Sequence, residues 1–88
     1  MKEYILDGNM MKDKDSTHLY LKEVFEFPEY YGKNLDALYD LLTEMGDVNI
    51  TIKNSKQIKN YLSEYGEDLI KTFLNASNLY EDIVVNIL

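Results

Sequence analysis

The chain contains no cysteine, no tryptophan, one histidine and one proline. Without cysteine there is neither a disulfide framework nor a thiolate zinc site, which fits a reducing compartment. The lone histidine, His18, supplies no catalytic dyad and no imidazole cluster, and it reads as a packing or capping residue. No apolar run approaches the roughly 20 residues that a membrane span requires. The opening residues Met1 to Asp7 lack the long apolar stretch and small-residue cleavage site of a secretory signal, so the expected location is the cytoplasm. Positive charge is also scarce: nine basic residues stand against sixteen acidic ones, for a net charge of −7. Nucleic-acid binders carry a basic footprint for the phosphate backbone, so direct binding to DNA or RNA is disfavoured. An acidic surface attracts basic proteins instead.

What is present describes a single folded domain over residues 1–88. A hydrophobic content of 45% against 28% charged residues supports one modest core. Residues 2–7 read as a strand stopped by the turn signal Asp7-Gly8-Asn9. A first helix is expected from Ser16 to about Phe27, with apolar positions Leu19, Leu21, Val24 and Phe25. Its cap is Asp15 or Ser16, the charge run Lys12-Asp13-Lys14-Asp15 is a solvated turn, and Pro28 is the stop. Asn34 is a good N-cap for a second helix reaching about Met45, with Leu35, Leu38, Tyr39, Leu41, Leu42 and Met45 on its apolar stripe. Gly46-Asp47 turns into Val48-Asn49-Ile50-Thr51-Ile52, which alternates with period two. A third helix with Ile58, Tyr61 and Leu62 is expected to end at Gly66, read as a C-terminal cap. A fourth carries Leu69, Ile70, Phe73, Leu74 and Ala76, and residues 83–88 form a closing, nearly all-apolar strand. In the order β-αα-β-αα-β every strand is separated from the next by helices. That calls for parallel pairing, hence an α/β domain with a small sheet.

One stretch departs from a design for stability. Between Lys33 and Lys53 there is no basic residue, while Asp36, Asp40, Glu44 and Asp47 all fall there. At about 100° per residue, Asp36 and Asp40 lie about 40° apart on the second helix and Glu44 about 80° from Asp36. Like charges at i,i+4 destabilise a helix by about 0.2–0.5 kcal/mol per pair. Glu44 also opposes the dipole at the C-terminal end. Local rules broken without compensation tend to mark functional sites. Tyr30 and Tyr31 precede the stripe on a glycine-containing loop, and Tyr39 lies within it, which is common material for a protein-binding surface. Tyr31 remains divided between that surface and the core.

The segment Pro28-Glu29-Tyr30-Tyr31-Gly32-Lys33-Asn34-Leu35-Asp36-Ala37-Leu38-Tyr39-Asp40-Leu41-Leu42-Thr43 resembles the signature of the barstar family, intracellular inhibitors of barnase-type ribonucleases. The likeness extends more weakly to Gly8 in the first turn, His18 early in the first helix and the corner Glu64-Tyr65-Gly66-Glu67. It implies a two-layer domain, a three-stranded parallel sheet with four helices, and an inhibitor rather than an enzyme. It also implies a one-to-one complex with a basic ribonuclease, a monomer when free, and no cofactor or metal. Asp40 resembles the aspartate that enters the nuclease active site as a mimic of the substrate phosphate. Asp36 resembles its neighbour that pairs with an active-site arginine, and Tyr30 the ring that covers the catalytic histidine. Gly32, Asn34 and Leu35 resemble contacts around them, and Thr43 and Asp47 the rim. Three positions depart from the pattern: Tyr39 and Met45 stand where the family has tryptophan, and Asn75 where it has a glutamate. They bear on affinity and on recognition of barnase itself.

Other chemistries fit less well. Asp36 and Asp40 as a paired acid and base would need a substrate cleft that 88 residues leave little room for. Asp7-Gly8-Asn9 and Asp13-Lys14-Asp15 lack the glycine and terminal glutamate of a calcium loop. The rival reading is a barstar-like interaction module or antitoxin that uses the same acidic helix against a different basic protein.

Overall fold

The computed structural model describes residues 1–88. Three strands, β1 (Lys2–Asp7), β2 (Val48–Lys53) and β3 (Ile83–Ile87), form one parallel sheet in the order β1-β2-β3. Four helices connect them: α1 (Lys14–Phe25) and α2 (Leu35–Met45) before β2, then α3 (Ser55–Leu62) and α4 (Glu64–Leu79) before β3. This is the expected α/β order β-αα-β-αα-β.

Parallel sheets are usually covered on both faces, but this one is not. The register puts Tyr4, Leu6, Val48, Ile50, Ile52, Ile83, Val85 and Ile87 on one face. Those of β2 are fully buried, and with helix residues such as Leu21, Leu38, Leu42, Ile58, Leu69 and Phe73 they make one core cluster. The other face stays open. There Asn86 donates to Asn49 Oδ1 at 2.7 Å and Asn49 donates to Glu3 Oε1 at 3.5 Å, beside the exposed Ile5. Alternation of period two in β2 follows from this one-sided cover.

Several helix ends differ from the sequence expectation. α1 starts two residues earlier than Ser16, because Asp13, not Asp15 or Ser16, is the cap: its Oδ1 accepts from the Ser16 amide at 2.8 Å. The run Lys12 to Asp15 is therefore a cap and first turn rather than a free turn. α1 also ends before Pro28 acts. Glu26 adopts a left-handed conformation (φ 56°). The Phe27 amide then bonds to the Lys22 carbonyl at 3.0 Å and the Glu26 amide to that of Glu23 at 3.3 Å, a complete Schellman closure on a non-glycine residue. Leu19, expected on the apolar face, is 50% exposed, while Thr17 and His18 are buried instead.

The second helical pair is corrected too. α3 stops at Leu62, and Ser63 turns the chain with φ 54°. Gly66 is no cap; it lies in the first turn of α4 against α3. A Cβ there would stand 2.5 Å from the Ile58 carbonyl oxygen, so the glycine permits the two helices to touch. Tyr61 and Leu74, expected inside, are exposed at 42% and 37%.

Candidate functional site

The site is built by α2 and the loop that enters it. Asn34 begins the helix as expected: its Oδ1 accepts from the Ala37 amide at 2.8 Å, and its Nδ2 donates to the Gly32 carbonyl at 3.3 Å. One side chain thus caps the helix and ties down the preceding loop. Leu38 and Leu42 are buried, and Leu35, Tyr39, Leu41 and Met45 pack on the core as partly buried residues. That apolar stripe fixes the rotation of α2, and its opposite side presents Asp36, Asp40 and Glu44 to solvent. At the far end Gly46 adopts φ 78° and ψ −136°, backbone angles suited to glycine, and sends the chain into β2.

The loop is held at both ends. Phe27 stacks on Phe25 at 5.2 Å and tilts against Tyr31 at 4.8 Å. The Tyr31 amide donates to the Pro28 carbonyl at 3.0 Å, and Lys22 pairs with Glu29 at 3.0 Å. Tyr31, which the sequence leaves divided between surface and core, goes to the core with 4% exposure, whereas Tyr30 stands out at 81%.

Loop and helix enclose a surface pocket of about 360 Å³. Tyr30, Tyr31 and Gly32 line it from the loop; Ala37, Asp40, Leu41 and Glu44 line it from α2. The walls combine aromatic and apolar surface with two carboxylates. The three ion pairs of the structure are the Met1 amino group with Asp47, Lys22 with Glu29, and Lys59 with Glu67. None of them involves Asp36, Asp40 or Glu44, so the acidic stripe is electrostatically unsatisfied within the chain. A desolvating partner with fixed cations would find charge-assisted hydrogen-bond acceptors here.

The remaining expected residues sit around this pocket rather than in it. Asp36 is exposed one turn toward the N-terminus, and Asn34 is spent as the cap. Thr43 is half-buried and donates to the Asp40 carbonyl at 3.0 Å, while Leu35 and Tyr39 lean on the core. Asp47 is exposed beyond the helix end, with Oδ2 at 3.5 Å from the Met1 amino group. Ala37 and Leu41 were not singled out as site residues, although 37, 40, 41 and 44 follow the i, i+3, i+4, i+7 spacing of one helix face.

A second feature centres on His18, which the sequence reads as a packing or capping residue without indicating its partners. His18 is buried, and Nδ1 lies 2.6 Å from the Tyr31 hydroxyl while Nε2 lies 2.5 Å from that of Tyr65. In a neutral imidazole one nitrogen accepts a hydroxyl proton and the other donates its own. Burial pushes the His18 pKa down, against a smaller upward pull from Asp15. Burial likewise pushes both tyrosines up, with the neighbouring Tyr65 adding to the rise at Tyr31. All three groups are therefore neutral at neutral pH.

The fold and site define a small two-layer α/β domain with an unpaired acidic helix face and a projecting tyrosine, and sequence comparison supplies its family. The family model described as Barstar (barnase inhibitor) matches residues 1–87. "Putative ribonuclease inhibitor YrdF" of Bacillus subtilis (strain 168) is 34% identical over 84 residues, covering 93% of this chain and 92% of that protein. The chain belongs to the barstar family, whose members are inhibitors and not enzymes. No helix is long and apolar enough to cross a membrane.

Proposed function

We propose that this protein inhibits a basic, barnase-type ribonuclease by placing the α2 carboxylates in its active site. The carrying observation is the pocket that Tyr30 shares with Asp40 and Glu44, neither carboxylate being paired with a cation of the chain. A ribonuclease must hold a phosphate with cationic side chains. Asp40 offers them carboxylate oxygens with no bond to cleave, and the exposed Tyr30 ring offers a flat apolar cover for the same catalytic groups. Asp36 and Asp47 extend the negative field along α2, with Gly32, Asn34, Leu35, Tyr39 and Thr43 shaping its border. Opposite net charges accelerate capture, which protects cellular RNA in the cytoplasm from a nuclease made there. The complex is one-to-one, and the free protein is a monomer.

Titration of purified barnase-type ribonucleases tests this. Inhibition should be stoichiometric and competitive with RNA, and the association rate should fall as salt rises. Absence of inhibition at micromolar protein across several such nucleases would retire the reading. The same acidic face would then belong to an interaction module for a different basic protein, to be identified by pull-down.

A further inference from the structure

The loop that presents Tyr30 runs from Glu26 to Asn34 without a regular element, and both Glu26 and Lys33 in it have left-handed backbones. Such a segment keeps one conformation only if its side chains are anchored. Its exposed anchor, the pair Lys22–Glu29, leaves Glu29 almost fully in water, where ion pairs contribute little. The internal anchor is Tyr31. Its ring packs on Phe27, and its hydroxyl meets His18, which is 2% exposed and bonded on its far side to Tyr65 of α4. Three separate pieces of the chain thus meet at one imidazole. A phenylalanine or leucine would fill that space without desolvating two ring nitrogens. The histidine adds direction, because each nitrogen has one hydroxyl at hydrogen-bond distance and neither is left unsatisfied.

We propose that His18 is a positioning residue for the binding loop, holding Tyr31 and thereby fixing Tyr30 and Gly32 opposite Asp40. This rests on the inhibitor reading given above. The clamp is also sensitive to acid. On α1 the charged groups around it are Asp15, whose charge acts on His18, and Lys14, whose ammonium lies 4.6 Å from the Tyr65 ring centre. From α4, Glu64 and Asp68 line the surface pocket they share with Lys14 and Tyr65. From the loop, the facing titratable group is Tyr31 itself. A protonated His18 donates from both nitrogens, so the hydroxyl that had donated to it must rotate its proton away and accept instead, around a cation that burial disfavours.

The test has a partner-free arm and a binding arm. His18→Phe keeps the ring and removes both hydrogen bonds; Tyr31→Phe removes only the loop hydroxyl and serves if the first variant folds poorly. In the free protein, amide exchange at Tyr31 should quicken by about tenfold or more while exchange in β2 stays unchanged. Unchanged exchange at Tyr31, or equal quickening in β2, overturns the proposal. In the binding arm, the variant should weaken inhibition of a ribonuclease that the unaltered chain inhibits by about tenfold. That factor should largely vanish in a Tyr30→Ala background and persist in an Asp47→Ala background. An equal factor in both backgrounds means that His18 acts on stability alone, and the proposal fails while the inhibitor reading stands. If the unaltered chain inhibits no ribonuclease, both fail together.

Discussion

Tyr30 and Tyr31 are adjacent in the chain but belong to different environments: the Tyr31 ring is enclosed by Phe27 and His18, and that of Tyr30 stands in solvent beside Asp40. Substitution should separate the two roles. Tyr31→Ala leaves a core cavity and an unpaired His18 nitrogen, and should cost about 3–5 kcal/mol of stability. Tyr30→Ala should change stability by less than about 0.5 kcal/mol, yet weaken ribonuclease inhibition by about 2 kcal/mol or more, as an aromatic anchor does. Urea denaturation and inhibition titrations on the same two proteins check both halves. A stability loss at Tyr30 matching that at Tyr31 would remove Tyr30 from the binding surface.

The close approach of Gly66 to the Ile58 carbonyl carries a second expectation. Alanine gains about 1 kcal/mol over glycine in a helix interior. Here its Cβ would meet backbone at 2.5 Å, which no rotamer change relieves. Overpacking typically costs about 1–3 kcal/mol, so Gly66→Ala should lower the melting temperature despite its better propensity. A rise in Tm would mean that α3 and α4 slide apart freely.

That glycine also shows where sequence reading reached its limit. A glycine after a helical pattern signals a left-handed stop or a close contact equally well, and only the packing partner, here Ile58, decides. α2 was legible because its signals are local: Asn34 at the cap, the apolar stripe and the carboxylates on the other side lie within one short segment. Along α1, Asp13, Asp15 and Ser16 all qualify as caps, and hydrogen-bond geometry selected the first. The link from His18 to Tyr65 spans 47 residues. No periodicity encodes a contact of that separation, so the core role of Tyr31 and the function of His18 appeared only in three dimensions. The open sheet face was half legible, since β2 alternates while β3, apart from Asn86, reads as apolar.

The depressed His18 pKa sets a pH dependence for folding. Its ordinary value is 6.5, and burial lowers it in the folded state. Below 6.5 the unfolded chain binds a proton that the folded one refuses, so stability rises with pH in that window. On acidification this contribution is lost from about pH 6.5 downward, until the folded-state pKa is passed. Asp7 and Asp13 behave separately. Hydrogen bonds, from Asn54 and Asn9 to Asp7 and from Ser16 to Asp13, hold their pKa values below 3.8, so their contribution is lost only under stronger acid. Melting curves between pH 7.5 and 5 should therefore slope for the unaltered protein and flatten for His18→Phe. Parallel slopes would assign the effect to other groups.

Asp40 should move stability and affinity in opposite directions. It has acidic neighbours one turn away on each side, Asp36 and Glu44, and takes part in no ion pair. Asparagine keeps the shape and nearly the same helix propensity while deleting the charge. Relief of two like-charge pairs should stabilise the free protein by about 0.4–1 kcal/mol, a Tm rise of about 2–6 °C for a domain of this size. The gain should shrink at high salt, where the repulsion is already screened. Inhibition should weaken in the same sample, because nuclease cations buried at the interface lose their counter-charge. Glu64→Gln serves as the control. It lies in the first turn of α4, away from the pocket, and should change affinity by well under about 1 kcal/mol. Equal losses of affinity at Asp40 and Glu64 would mean that net charge alone drives binding. A lower Tm for Asp40→Asn would mean that this carboxylate is stabilised within the fold, and the argument that α2 trades stability for recognition would fail.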